Sequence, residues 1–304
     1  MGGTERMNHE KTHENELVCS GHYACQGCGA VIAMRHALAA LGPRTIVVLP
    51  ACCWSVIAGP YPYSALRVPV FHTAFETGGS TASGVRAALE MQGKSDINVL
   101  AWAGDGGTFD IGLQSLSGAV ERNEDIIYTC YDNEAYMNTG IQQSSATPAR
   151  AWTTTSPEAH PKDTQKKNIV QILAGHKIPY VATTSIGFPD DLIAKFEKAK
   201  SIRGTKFLHV LAPCPSGWKY SSQLSVRLAR LATHCKVFPI YEVFDGETYV
   251  INVEPEGRPV KEYLSLQGRF SHLTPRQIDE IQARVDYDWE HLLHKAMLEK
   301  FEFE

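Results

Sequence analysis

Short apolar runs alternate with amphipathic stretches along most of the chain. VIAMRHALAAL, within residues 30–41, has apolar positions at helical spacing and stops at Gly42-Pro43, a glycine followed by a residue that cannot continue a helix. Thr45 to Leu49 is a run of strand type, and Ser80 to Gln92 reads as a helix with small residues on one face. Two more apolar runs follow, Ile97 to Ala103 and Ile126 to Tyr131, with a helix-period segment between them. None of these runs alternates, because a parallel strand covered on both faces has no solvent side to show.

The pattern continues downstream. Asn168 to Gly175 and Pro179 to Thr184 read as helix then strand, and Asp190 to Lys200 with Lys206 to Leu211 repeats the unit. The alternation predicts an α/β domain over residues 17–240 with a doubly wound, mostly parallel sheet of about five or six strands. Gln142 to Lys167, rich in Ser, Thr and Pro, is a long irregular segment of the kind that carries function. Ser221 to His234 is a further helix, and residues 1–16 form a polar tail. From residue 241 the pattern changes to a hairpin around Asp245-Gly246, Pro-rich chain and a helix capped by Thr274-Pro275. Residues 241–304 are expected to be a C-terminal extension contacting partner subunits.

Composition narrows the class. With 43% hydrophobic and 20% charged residues over 304, the chain can bury a sizeable core. A net charge of −4 gives no electrostatic reason to expect nucleic acid or an anionic membrane surface. No apolar stretch approaches the ~20 residues that span a bilayer, and the first residues lack the apolar core of a secretory signal. A cytoplasmic location is expected, where the eight cysteines serve metal or redox chemistry more readily than disulfides.

The candidate chemistry sits at strand ends. Ile97 to Ala103 ends in Gly104-Asp105-Gly106-Gly107, and Ile126 to Tyr131 ends in Asp132-Asn133-Glu134. Open α/β sheets bind ligands at such carboxyl ends. Asp105 offers a hard carboxylate oxygen and Asn133 an amide oxygen, which suit magnesium. The glycines allow backbone to approach a phosphate closely. A Gly-Asp-Gly turn unrelated to the later Asn turn would leave the same sequence. Cys25-Gln26-Gly27-Cys28-Gly29 is a CxxC, while Cys53 and Cys214 each follow a strand. Four thiolates fit zinc or a [4Fe–4S] cluster, and buried unligated cysteines remain open too. Cys19, Cys130 and Cys235 read as ordinary core or surface residues.

GDGGTFDIGLQSL followed by YDNEAYMNTG resembles the thiamine-diphosphate motif of the 2-oxoacid:ferredoxin oxidoreductases, in particular the β subunit of pyruvate:ferredoxin oxidoreductase. HYACQGCG, PYPYSALRVP, FHTAFETGGSTASG, QQSSATPARAWTTTSP, APCPSGW and EYLSLQGRFSHL carry the resemblance through nearly the whole chain. It implies a thiamine-diphosphate-binding fold and CoA-dependent oxidative decarboxylation of a 2-oxoacid, foremost pyruvate to acetyl-CoA and CO2, with electrons passed to ferredoxin. Oxalate, 2-oxoisovalerate or an aromatic 2-oxoacid is an alternative substrate.

The resemblance also implies roles. Asp105, Asn133 and the Ala135 carbonyl would ligate Mg2+, Gly104, Gly106 and Gly107 would cradle the diphosphate, and Asn138 would lie near the reactive carbon. Cys25, Cys28, Cys53 and Cys214 would hold a [4Fe–4S] cluster. The register at Ala51-Cys52-Cys53 rests on Pro60-Tyr61-Pro62 downstream and places Cys52 where relatives often have Gly. Ala30 stands where they often have Glu, and His22, His72 and Glu76 are further candidates for the active site. The implied partners are an α subunit with the pyrimidine-side domain, γ and ferredoxin-like δ subunits or their fused equivalents, and ferredoxin. From a different class, a non-catalytic, metal-stabilised electron-transfer scaffold would need only the cysteines.

Overall fold

The computed structural model describes residues 16–298; all but the last residue of the expected N-terminal tail and residues 299–304 of the C-terminal stretch lie outside them. The strands, in chain order, are β1 (Thr45–Pro50), β2 (Val70–Thr73), β3 (Asn98–Gly104), β4 (Ile127–Asp132), β5 (Tyr180–Ser185), β6 (Lys206–Leu211), β7 (Tyr241–Phe244) and β8 (Thr248–Ile251). They form one sheet in the order β2-β1-β3-β4-β6-β5-β7-β8. Pairing is parallel from β2 across to β5, and antiparallel where β7 joins β5 and β8 joins β7.

The expected mostly parallel sheet is therefore present, with eight strands where five or six were expected. Two additions account for the difference. VFHT of β2 is a short edge strand with no fully buried residue, so it lacks the apolar signature of a central strand. The predicted hairpin forms, but β7 pairs with β5 and extends the main sheet.

Both faces are covered. On one, Ala33, Met34 and Leu38 of α1 (Gly29–Leu41) meet Trp102, Tyr131 and Phe196. On the other, Ala82 and Leu89 of the helix Gly78–Met91 and Leu116 of the helix Leu113–Glu121 pack on Val48, Ala101 and Tyr128. A third apolar cluster gathers Trp218, Leu228, Tyr263 and Phe270 around the C-terminal chain. The last helix, Pro275–Met297, opens with a capping box between Thr274 and Gln277 and buries only Trp289 and Leu292.

The helix expected after Gly104 is interrupted. A π turn over Gly107–Ile111 precedes the helix Leu113–Glu121, and Asp110 leaves helical geometry at φ −115°, ψ −105°. Its carboxylate instead accepts from the Tyr136 hydroxyl at 2.7 Å and the Ser145 N–H at 3.1 Å. Between β4 and the helix Ile169–Ala174 the chain is irregular, as its composition predicts. The Lys162 ammonium, largely buried, donates to the carbonyls of Ser144, Ser145 and Thr147 in that segment.

Candidate functional site

Register decides which residues meet. Gly104 pairs with Tyr131 across β3 and β4, so Asp105 and Asn133 leave the sheet side by side. Asp132 pairs with Leu211 across β4 and β6, which brings the chain leading to Cys214 out next to them. β1 lies on the other side of β3 and delivers Cys52 and Cys53.

The Asp105 carboxylate, the Asn133 amide and the Ala135 carbonyl converge at this edge. One end of the Asn133 amide lies 2.9 Å from Asp105 Oδ1 and 3.0 Å from the Ala135 carbonyl oxygen. With its nitrogen turned inward the amide donates to both of these oxygens, and with its oxygen inward it is a third acceptor beside them. The first arrangement satisfies the oxygens from within the protein, and in the second a hard divalent cation would satisfy them from outside. Asp105 is 1% exposed, and its other oxygen accepts from the Ser144 hydroxyl at 2.5 Å. Burial and the nearby Asp132 hold its carboxyl well above the usual carboxylate range. A bound cation would reverse that by favouring the ionised form.

Gly106 was expected to admit a diphosphate. It has ordinary helical angles, φ −59° and ψ −43°, and the Tyr136 ring lies against it, 2.2 Å from where a Cβ would stand. Phe75 packs on the same ring with centroids 5.9 Å apart. Asp105, Gly106 and Gly107 open a helical turn whose first N–H groups have no partner within the helix. They line a cavity of about 380 Å3 together with Gly104, Asn133, Ala135 and Asn138. Asn138 is exposed at its edge, whereas His72 and Glu76 are exposed elsewhere and do not line it. Ala30 is buried inside α1, and His22 accepts weakly from the Ala24 N–H at 3.4 Å.

Cys52 and Cys53 line the same cavity. Burial pushes the Cys53 thiol up to about 12, helped by the neighbouring sulfurs of Cys52, Cys214 and Cys28. Cys214 is pushed up to about 11 by burial, with Cys28 and Cys25 close enough to add to it. Cys28 is raised by burial against the helix N–H groups of Val31 and Ala30. The CxxC loop is seated by its glycines: Gly27 has φ +73°, and a Cβ there would lie 2.4 Å from the Ser222 carbonyl oxygen. Its carbonyl accepts from the Ser225 hydroxyl, and the Gly29 N–H donates to Pro213. Cys53 thus has Cys214 and Cys28 within electrostatic reach, and Cys214 has Cys28 and Cys25. Among the described residues no group of three or more His, Cys, Asp or Glu is arranged to hold a metal ion.

Beneath the converging groups lies a buried charge network that sequence reasoning missed. Lys166 bridges Asp132 at 2.5 Å and Glu134 at 2.8 Å, and Arg269 reaches Glu134 at 2.6 Å. Burial opposes ionisation of Asp132, yet Lys166 and a hydrogen bond from His209 at 2.7 Å bring it down to about 2. Burial keeps His209 neutral, so its Nε2–H donates and the balancing charge resides on Lys166. These residues come from four distant stretches, and a lone charge in sequence reads as a solvated one; only the unusual DNE run at the end of β4 was a local signal.

A glycine turn and metal-type oxygens at the ends of adjacent parallel strands place the chain in the class of diphosphate-cofactor-binding α/β domains. Residues 52–210 match the family described as thiamine pyrophosphate enzyme, C-terminal TPP binding domain. The chain is 48% identical over 293 residues to ketoisovalerate oxidoreductase subunit VorB of Pyrococcus furiosus, covering 93% of each. It is 49% identical over 279 residues to pyruvate synthase subunit PorB of Methanothermobacter thermautotrophicus, covering 91% of this chain and 97% of that one. The fold also aligns with 2-oxoglutarate:ferredoxin oxidoreductase from Magnetococcus marinus, TM-score 0.60 over 91% of this chain and 96% of that chain, at 18% identity. The chain belongs to the thiamine-diphosphate-dependent 2-oxoacid:ferredoxin oxidoreductase family, as its thiamine-diphosphate-binding β-type subunit. No helix among the described residues is long and apolar enough to cross a membrane.

Proposed function

We propose that this subunit supplies the diphosphate-and-metal half of the active site of a cytoplasmic, CoA-dependent pyruvate:ferredoxin oxidoreductase, together with the cysteines of a [4Fe–4S] cluster beside it. The observation that carries the reading is the shared cavity: the converging polar groups of Asp105, Asn133 and Ala135 form one wall, and Cys52-Cys53 forms another. Asp105 and the two neutral oxygens would hold Mg2+, leaving its other octahedral positions to water and the diphosphate. The turn at Gly104, Gly106 and Gly107 would direct N–H groups to the phosphates. Asn138, exposed at the cavity edge, would donate to oxygen charge developing on the substrate. Cys25, Cys28, Cys53 and Cys214 would ligate the cluster. Thiamine diphosphate, when bound, supplies the chemistry that breaks the bond between the 2-oxo carbon and CO2, and the cluster accepts electrons singly.

The proposed partners are an α subunit carrying the pyrimidine-side domain, a γ subunit and a ferredoxin-like δ subunit, or fused equivalents, with residues 241–304 contacting them. The near-equal identities to a pyruvate synthase subunit and a ketoisovalerate oxidoreductase subunit make 2-oxoisovalerate the second reading. The purified complex, offered a panel of 2-oxoacids with CoA and a viologen acceptor, is expected to reduce the viologen fastest with pyruvate. Turnover confined to another 2-oxoacid would replace the substrate assignment, and no CoA-dependent turnover with any would sink the reading.

The same assay with this chain alone, its cluster reconstituted, is expected to give no turnover. Among the described residues lining the cavity the one carboxylate is Asp105, which the cation would occupy, and proton exchange with the cofactor's aminopyrimidine requires another group within hydrogen-bond reach. Activity at the rate of the full complex would place both halves of the site in this subunit.

A further inference from the structure

We infer that Arg269 is a positioning residue for the metal-binding turn: it acts through Glu134, and its stack on Trp218 ties that turn to the loop beginning at Cys214. The inference rests on the assignment of the cation to Asp105, Asn133 and Ala135. Glu134 lies between two of those residues and has φ +66°, a left-handed conformation unfavourable for any residue with a side chain. That kink lets Asn133 and Ala135 aim at one point instead of diverging, with the amide 3.0 Å from the carbonyl. A kink of this kind persists only where its surroundings hold it.

The surroundings hold every polar group of Glu134. Its N–H donates to Asp132 Oδ1 at 2.9 Å and its carbonyl accepts from the Thr147 hydroxyl at 2.7 Å. Oε1 accepts from Lys166 and Oε2 from Arg269. The two cations differ in kind. Lys166 is a point charge shared with Asp132, whereas the Arg269 guanidinium is fixed in plane. It lies 3.9 Å from the centre of the Trp218 ring, and its Nε–H donates to Gln267 at 2.9 Å. Trp218 in turn donates its indole N–H to the Asn133 carbonyl at 2.8 Å. The stacked pair thus grips consecutive residues of the turn, one by main chain and one by side chain. Trp218 closes the short helix Pro215–Trp218 that Cys214 caps, so the same grip reaches the cluster side. A buried ion pair is poor evidence of stability and better evidence that a geometry is being specified.

The test uses the assembled complex with Arg269→Gln, Arg269→Lys and Glu134→Gln. Calorimetric titration of Mg2+ at fixed thiamine diphosphate should show half-saturation raised about 10- to 100-fold in Arg269→Gln, the scale for loss of a group that supports metal ligands. Arg269→Lys should fall between, since it keeps the charge and loses the fork and the stack. At saturating metal and cofactor, kcat should return close to wild type. Amide exchange in the cofactor-free complex should quicken at residues 133–137 in both Arg269 variants and stay unchanged across the sheet. Wild-type metal affinity in Arg269→Gln overturns the inference. So does global loss of protection in Arg269→Gln when Arg269→Lys and Glu134→Gln bind Mg2+ as wild type does. The exchange measurement contains no metal, so it fails only if the clamp is absent; a wrong cation assignment would appear separately, as cofactor binding by the wild type without Mg2+.

Discussion

Asp105→Ala is expected to leave the assembled complex without bound thiamine diphosphate at Mg2+ levels that saturate the wild type, and to cut turnover by more than about 100-fold, beyond the usual cost of losing a merely supporting group. It removes the only carboxylate among the converging groups, so the diphosphate charge loses most of its compensation. A structural role for Asp105 predicts something different for the empty fold. Its carboxyl is raised by burial and by Asp132, so in the absence of a cation the folded state holds that proton more tightly than the unfolded chain does. Such a group costs stability as pH rises from its unfolded value toward its folded one. Deleting it at neutral pH should leave the cofactor-free midpoint of thermal unfolding unchanged or higher, even though Ser144 loses its acceptor. Calorimetry with and without Mg2+ and thiamine diphosphate separates the two. Wild type should gain about 2.7 kcal/mol at a hundredfold excess over Kd, and the variant nothing. Normal cofactor content in the variant would mean that the ion is held elsewhere.

Much of the site was legible because buried parallel strands advertise themselves. The runs ending at Gly104, Asp132 and Leu211 are apolar almost throughout, and each gives way to a conspicuous motif, GDGG, DNE or APCP. Position along the chain therefore translated directly into position at one sheet edge. The signal fails for β2, whose exposed Phe71 and His72 give it no buried face to announce. It fails differently for the charges beneath the site. Lys166 lies in a polar irregular segment and Arg269 in a short turn near the C-terminal helix, and only the fold brings both to Glu134. Tyr136 was hidden for a third reason. It reads as one aromatic in a loop, and its contact with Gly106 depends on the interrupted helix that frees Asp110 to accept its hydroxyl.

Cys53→Ser should strip the protein of its cluster iron and visible absorbance, while Cys52→Ser should leave both nearly intact. The two adjacent sulfurs have different surroundings. Cys52 precedes the short helix Cys53–Ile57 and forms a capping box with Ser55, its own N–H donating to Ser55 Oγ at 3.1 Å. Its thiol is raised by burial and faces the Tyr131 hydroxyl and Gly104, toward the cavity. Serine is a favoured residue at that capping position, so the substitution should preserve the helix. Cys53 also meets the Tyr131 hydroxyl but has, besides Cys52, the sulfurs of Cys214 and Cys28 as electrostatic neighbours, and burial above all pushes its thiol up to about 12. Such a thiol stays protonated until a metal displaces the proton, so cluster insertion should release protons and weaken as pH falls. A hydroxyl in its place is a poor ligand for so soft a centre. Iron content and absorbance after anaerobic reconstitution of the complex measure the difference. Equal loss in both variants, or loss only in Cys52→Ser, would show that the chain enters the cluster through the other sulfur and that the register anchored at Pro60-Tyr61-Pro62 is off by one residue.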